Sequence, residues 1–275
     1  MSLKLMYITN APKVAAIAQK YGVDRIFIDL ETLGKEERQK GMNTVKSNHT
    51  VLDVLSLRKI ITQSEILVRV NPWNKESPKE IDDVVKAGAD VIMLPMWKTA
   101  DEVRSFVRAV DGRAKTMLLL ETKEADECLD EVLSLGGVDE IHIGLNDLHL
   151  SYGLTFMFEL LANGTIERIC AKIRARGIPY GFGGVARIGA GDLPAERILS
   201  EHYRLGSSFA ILSRSFCNTD LVQDMGEVEK IFDEKLKELR AFEKSLETRT
   251  EEEFEENKKQ LCEIVERIVE RKKNG

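Results

Sequence analysis

The stretch KTMLLLETKEADECLDEVLSLGGVDEIHIGLNDLHLS, residues 115–151, decides how the chain is read. An apolar run, KTMLLLET (115–122), is followed by a polar helix-like segment and then by a second short run, EIHIGLN (140–146). That is strand, helix, strand. The first run is apolar without a break from Met117 to Leu120, which a strand with one face in water would not show. A sheet covered on both faces is implied, and parallel strands joined by helices provide that cover. Each run also stops at an acid, Glu121 in the first and Asp147 just past the second.

Six more runs of this kind occur: LKLMYIT (3–9), RIFIDL (25–30), EILVRVN (65–71), DVIMLPM (90–96), IPYGFGGV (178–185) and SFAILSRSF (208–216). Between the runs lie PKVAAIAQKYG, SPKEIDDVVKAGA, TADEVRSFVRAVDG and LPAERILSEHYRLG, which open at or near Pro, Ser or Thr and mostly close at Gly, the punctuation of helices. Eight strand-helix units in about 220 residues predict an α/β fold, a (β/α)₈ TIM barrel over 1–220, a fold for which ~250 residues is typical. An open doubly wound sheet that bound a dinucleotide would place G-x-G-x-x-G after its first strand, where this chain has ITNAPK.

From residue 221 the texture changes. Val228, Ile231, Phe232, Leu236, Leu239, Phe242 and Leu246, then Leu261, Ile264, Val265 and Ile268, recur every three or four positions. Residues 221–275 are therefore read as two amphipathic C-terminal helices, the second opened by a capping box of Thr250 and Glu253. One reading makes them a last barrel helix and a solvated tail; the other makes them an oligomerisation element packed on a neighbouring subunit, and a homo-oligomer is expected.

The net charge of −6, with acids and bases interleaved, leaves no basic stripe for a nucleic acid to follow. Four scattered cysteines form no metal or disulfide pattern, and no apolar run reaches the roughly 20 residues that cross a bilayer. The expectation is a soluble cytoplasmic protein whose partner is a small molecule.

Barrels of this kind carry their sites at the C-terminal ends of the strands. Strand two ends with Asp29 and Glu31, strand three with Arg69 and Asn71, strands five and six with Glu121 and Asp147. Neighbouring strands lie roughly 4.8 Å apart, so the last two acids can point at one spot. Two carboxylates so placed remain ionised when a cation sits between them, and an all-oxygen donor set suits Mg²⁺ or Mn²⁺. The alternative is that both acids stabilise the first turns of the helices that follow.

Arg69 is either a fork for a substrate carboxylate or the ion-pair partner of Asp29 and Glu31. The GFGGVARIGAG loop (181–191) could cradle an anion with its N–H groups. His142 reads as a barrel-filling residue, and His149 and His202 as surface or helix-start residues. His49 follows the long polar segment GKEERQKGMNTVKSN (34–48) and is read either as a helix-start residue or as a base at the barrel mouth.

FIDLET (27–32), VRVNPWN (68–74), GADVIMLPMWKTADEV (88–103), LLLETKEA (118–125) and IGLNDLHLSYG (143–153) stand in an order and spacing that resembles the HpcH/HpaI aldolase and citrate lyase β-chain family of the phosphoenolpyruvate/pyruvate barrels. The resemblance runs from Leu5 to Phe216. It implies a divalent metal held by Glu121 and Asp147, Arg69 gripping the 2-oxo acid end of a carboxylated substrate, and the Gly144, Leu145, Asn146 backbone lining the carboxylate pocket. Sugar-acid aldolases of the family usually carry a basic His after the strand-two Glu, where this chain has Thr32; citrate lyase-like members carry DLED where it has DLET. His49 is the candidate replacement as base, with Lys35, Arg38 and Arg187 as positive charge for a second anionic group. The expected activity is metal-dependent C–C lyase or aldolase chemistry on a 2-oxo acid. An acyl-CoA lyase of the malyl-CoA type, and a non-catalytic barrel that works through its C-terminal helices, are the alternatives.

Overall fold

The computed structural model describes residues 2–34 and 48–274. Eight parallel strands close into a barrel in sequence order: β1 Lys4–Ile8, β2 Arg25–Asp29, β3 Glu65–Arg69, β4 Val91–Leu94, β5 Lys115–Leu120, β6 Glu140–Ile143, β7 Tyr180–Val185 and β8 Phe209–Leu212. The last strand pairs with the first, Tyr7 opposite Leu212. All eight strands fall within the apolar runs of the sequence.

The described helices are α1 Pro12–Lys20, α2 Val51–Arg58, α3 Ser77–Ala87, α4 Ala100–Val110, α5 Lys123–Glu127, α6 Leu129–Val132, α7 Leu145–Ser151, α8 Glu159–Ala162, α9 Thr165–Arg174, α10 Ala195–Leu205, α11 Met225–Leu246 and α12 Glu251–Asn274. Side chains alternate in or out along each strand. Met6, Phe27, Leu67, Val91, Met93, Met117, Leu119 and Phe209 fill the barrel, whereas Leu5, Ile26, Ile66, Ile92, Leu118 and Ile141 face the helices. Both faces are buried, which is why the strands lack a polar alternation.

The N-terminal end of the barrel is closed by charge. Arg25, fully buried, donates from Nη1 and Nη2 to Glu140 at 2.6 and 2.8 Å and from Nε to Glu65 at 2.7 Å. Its guanidinium also lies over the Phe209 ring, 5.2 Å from the centroid. Lys115 reaches the second oxygen of Glu65 from outside at 2.6 Å. His142 fills the barrel as read from sequence, its Nε2 3.2 Å from the Gly183 carbonyl, and burial depresses its pKa to about 4. His202 departs from the sequence reading: it is fully buried, stacked on Phe182 at 3.9 Å and bonded to Ser207.

The apolar stripes of the C-terminal helices are covered within the chain. α11 lies against α1 and α10 as the eighth barrel helix, and α12 runs back over α10 and α8. Val228, Phe232, Leu236, Leu239, Leu246, Leu261 and Val265 belong to the same core as the barrel. Glu243 accepts from the Leu3 N–H at 2.9 Å, and Asn257 bridges Arg197 and Glu201. Ile231, Phe242 and Ile264 of the same stripes are half-buried, and α12 is packed on the barrel helices rather than a solvated tail. The Thr250–Glu253 capping box is present, with Thr250 N–H donating to Glu253 at 2.8 Å.

Removing one member of a buried pair leaves an uncompensated charge, so Arg25→Ala is expected to cost about 3–5 kcal/mol in urea unfolding. Lys115→Ala, at an exposed end of the same network, is expected to cost about 1 kcal/mol or less.

Candidate active site

The C-terminal ends of the strands surround a cavity of about 740 Å³. Asp29, His49, Arg69, Asn146 and Asp147 are among its lining residues, together with Thr9, Asn10, Ser213, Arg214, Asn218 and Gln223.

Glu121 follows β5 directly and is buried beneath this mouth. Its Oε1 accepts a hydrogen bond from the Met96 N–H at 3.1 Å. Met96 is one of two described non-glycine residues with positive φ (+53°), a left-handed backbone that costs of order 1 kcal/mol and here aims an N–H at the carboxylate. The other oxygen leans toward β6: a Cβ on Gly144 would stand 2.9 Å from Oε2. Only glycine leaves that space. Asp147 sits in the first turn of α7, the helix that Gly144 caps.

Burial raises the Glu121 carboxyl well above the usual carboxylate range; Asp147 adds to the rise, Arg69 opposes it and Glu31 adds further. A buried acid facing a second acid calls for a cation. Among the described residues no group of three or more acidic, His or Cys side chains converges. Two carboxylates with water and substrate oxygens are how a hard ion such as Mg²⁺ is commonly held, so the donor set fits.

Arg69 is clamped. Nε and Nη2 each donate to one oxygen of Asp29 at 2.9 Å, and Nη2 lies 3.3 Å from Glu31. The ion-pair reading of Arg69 therefore describes its resting contacts, with Nη1 outside the Asp29 clamp. Those acids and burial act in opposite directions, and the net effect raises its pKa. Glu31 is buried and does not line the cavity, so its place is behind Arg69 rather than against substrate.

His49 lies in the wall. Its Nδ1 accepts the Asp29 N–H at 3.0 Å, so in the neutral ring the proton sits on Nε2 and that nitrogen donates. Thr32, where a family aldolase would carry its His, is tied by its N–H to Asn71 at 2.9 Å, and Asn71 donates in turn to Glu80 at 2.8 Å.

Other expectations change. Arg187 donates from Nε to the Ser215 carbonyl at 3.0 Å and does not line the cavity. The strand-seven glycines answer to packing, not to an anion: a Cβ on Gly181 would meet the Phe209 carbonyl at 2.3 Å, and one on Gly183 would meet Leu145 at 2.7 Å. The Leu145 side chain is core, leaving only its backbone N–H in the first turn of α7 to face a ligand. Lys35 and Arg38 lie outside the described residues. Sequence reading missed Asn10, Arg214, Asn218 and Gln223. SRSF was visible as a strand end, but only closure of β8 on β1 shows that it meets Asn10.

A family model for HpcH/HpaI aldolase/citrate lyase matches residues 4–184, more than half of the chain. The chain belongs to the HpcH/HpaI aldolase/citrate lyase family. A hydroxypyruvate/pyruvate aldolase of Roseovarius nubinhibens is 30% identical over a stretch that covers 38% of this chain and 53% of that protein, so the match spans about half the length of the relative. Among solved structures, an HpcH/HpaI aldolase from Desulfitobacterium hafniense DCB-2 superposes with a TM-score of 0.62 at 15% identity, covering 83% of this chain and 93% of that one. An HpcH/HpaI aldolase/citrate lyase family protein from Burkholderia cenocepacia J2315 gives 0.63 at 17%, covering 82% and 94%. At these identities the likeness is one of fold. The description of that family names aldolase and citrate lyase.

Gly144→Ala is expected to keep the barrel, at a cost of about 1–3 kcal/mol from overpacking, while displacing Glu121 and lowering Mn²⁺ affinity in calorimetry. For Glu121, whose folded pKa is raised, stability is full below the ordinary carboxylate range and is lost as pH rises through the raised value. Glu121→Gln should therefore melt higher than the parent in EDTA at neutral pH and flatten that pH dependence.

Proposed function

We propose that this protein is a divalent-metal-dependent C–C lyase or aldolase acting on a 2-oxo acid, with Mg²⁺ or Mn²⁺ held by Glu121 and Asp147. One observation carries the reading: Glu121 is destabilised as an anion by burial and then by Asp147, and Asp147 and the clamped Arg69 line the cavity. A barrel kept only for binding or assembly would have no use for an acid in so unfavourable a place, and perturbed groups of this kind cluster at working sites.

The chemistry is cleavage or formation of the bond between C3 and C4 of a 4-hydroxy-2-oxo acid. In cleavage the C4 hydroxyl gives its proton to a general base, the C3–C4 electron pair passes into the pyruvate-like enolate, the aldehyde departs, and the enolate carbon takes a proton to give the 2-oxo acid. A divalent cation would supply Lewis-acid stabilisation of the charge that develops on the keto oxygen. Arg69, oriented by Asp29, would hold the carboxylate end and offset negative charge through its remaining donors. The first-turn N–H groups of Leu145 and Asn146 supply further donors to the same end. In the addition direction the electrophile's carbonyl oxygen needs a proton donor, and the same group takes the C4 hydroxyl proton in cleavage; His49, whose ring lines the cavity, is the candidate for both.

The acyl-CoA reading has less support. Among the described lining residues the permanent cations are Arg69, clamped by Asp29, and Arg214, which shares its wall with Asp220. That is a poor match for a polyanionic carrier.

Deuterium exchange into the pyruvate methyl group, followed by ¹H NMR, tests the proposal. Exchange should require Mg²⁺ or Mn²⁺, vanish in Glu121→Ala and fall by roughly 10²-fold or more in Arg69→Lys. Saturating metal, at 100 times its Kd, should also stabilise the parent by about 2.7 kcal/mol and leave Glu121→Ala unmoved. Absence of exchange over a panel of 2-oxo acids with either metal would overturn it.

A further inference from the structure

The two acids of the proposed metal site stand on separate pieces of chain, and each piece runs into a short helix. Glu121 is followed by Thr122 and α5, and Asp147 lies inside α7, a helix of seven residues that starts from Gly144. A helix that short has little stability of its own. The direction of α7, and with it the place of Asp147, therefore depends on what holds its far end.

That end is tied to the helix that follows Glu121. The Lys123 N–H donates to Ser151 Oγ at 2.8 Å, and the Tyr152 hydroxyl donates to Oδ2 of Asp126. Ser151 closes α7, one turn beyond Asp147, and Tyr152 is its C-cap, whereas Lys123 opens α5 and Asp126 lies a turn further along it. Asp126 is buried, and Nη1 of Arg168, on α9, donates to its Oδ1 at 2.9 Å, so a third helix fixes the carboxylate. Burial and the bond to Asp126 push the Tyr152 hydroxyl up to about 12, so it stays the donor. The start of α5 is anchored in turn: Thr122 Oγ1 accepts the Ala125 N–H at 3.1 Å and donates to the Trp97 carbonyl at 2.9 Å. Trp97 follows Met96, whose N–H meets Glu121. Ser151, Tyr152, Asp126 and Arg168 do not line the cavity.

We infer that Ser151, Tyr152 and Asp126 form a brace that sets the separation of Glu121 and Asp147, and that they are positioning residues for the divalent cation, which they do not touch. Both bonds of the brace run between the two acid-bearing segments, and a small hard cation tolerates little error in donor distance. The inference rests on the metal reading above and deepens it by naming what fixes the dimensions of the site.

The test separates the two. Mn²⁺ is titrated into the protein with pyruvate present, and the free ion is followed by EPR; melting curves in EDTA verify that each variant is folded. Tyr152→Phe keeps the ring and loses the donor, and it should raise the Mn²⁺ Kd by about tenfold, the scale on which outer groups that orient ligands act. Ser151→Ala, at an exposed position where folding is not at stake, should raise it severalfold, and Ser151→Thr, which keeps the hydroxyl, should restore the parental value. Tyr180→Phe is the control: it also removes one tyrosine hydroxyl bond, to the Leu205 carbonyl, at the start of β7 and so at the other end of the barrel, and it should leave the Kd unchanged. If the parent binds Mn²⁺ and both Tyr152→Phe and Ser151→Ala bind it as tightly, or if Tyr180→Phe loses as much affinity as Tyr152→Phe, the brace is wrong and the metal reading stands. If the parent binds no more Mn²⁺ than Glu121→Ala does, both fall.

Discussion

The repulsion between two carboxylates in a nearly dry place is the constraint on which the site depends. Glu121 is buried, Asp147 raises its pKa further, and Arg69 offsets only part of that charge. Three backbone features keep the acid there: a left-handed Met96 that offers its N–H, a β5–β6 register that sets Glu121 beside Gly144, and the missing Cβ at Gly144. Together they hold an acid where a cation would offset the charge.

The barrel can carry that burden because its stability is assembled elsewhere. At the N-terminal end Arg25 meets Glu140 and Glu65 with its hydrogen-bonding geometry nearly filled, and the barrel interior is apolar from Met6 round to Phe209. The two ends hold similar residue types in opposite electrostatic conditions. At one end acids and guanidinium balance; at the other the acids dominate around Glu121. This division between a structural face and a working face is general to the fold. The C-terminal helices extend it, since α11 both closes the ring of helices and packs Phe232 against Tyr7, a residue that lines the cavity.

Much of this was legible in residue order. Eight apolar runs, their punctuation and the acids that end the fifth and sixth are local features, and local features survive in a sequence. The family resemblance rested on the same motifs. What escaped was whatever depends on meeting across the barrel. Arg187 looked available for an anion and instead bonds Ser215; the glycines of strand seven looked like an anion cradle and instead make room for Phe209 and Leu145. His49 looked like a helix-start residue or a base, and its ring takes the Asp29 N–H in the cavity wall.

The sequence by itself determined the period, the strand count, the parallel covered sheet and the identity of the two acids, because hydrophobic periodicity and strand-end position follow from the chain's own order. Only the tertiary structure decided which way each group faces and what it meets. It clamped Arg69 with Asp29, set the Cβ-free Gly144 against Glu121, and brought residues 213–225 beside Asn10 by closing β8 on β1. The physical reason is that charge balance, proton placement and cavity shape depend on distances between residues far apart in the chain, and those distances exist only once the barrel has closed.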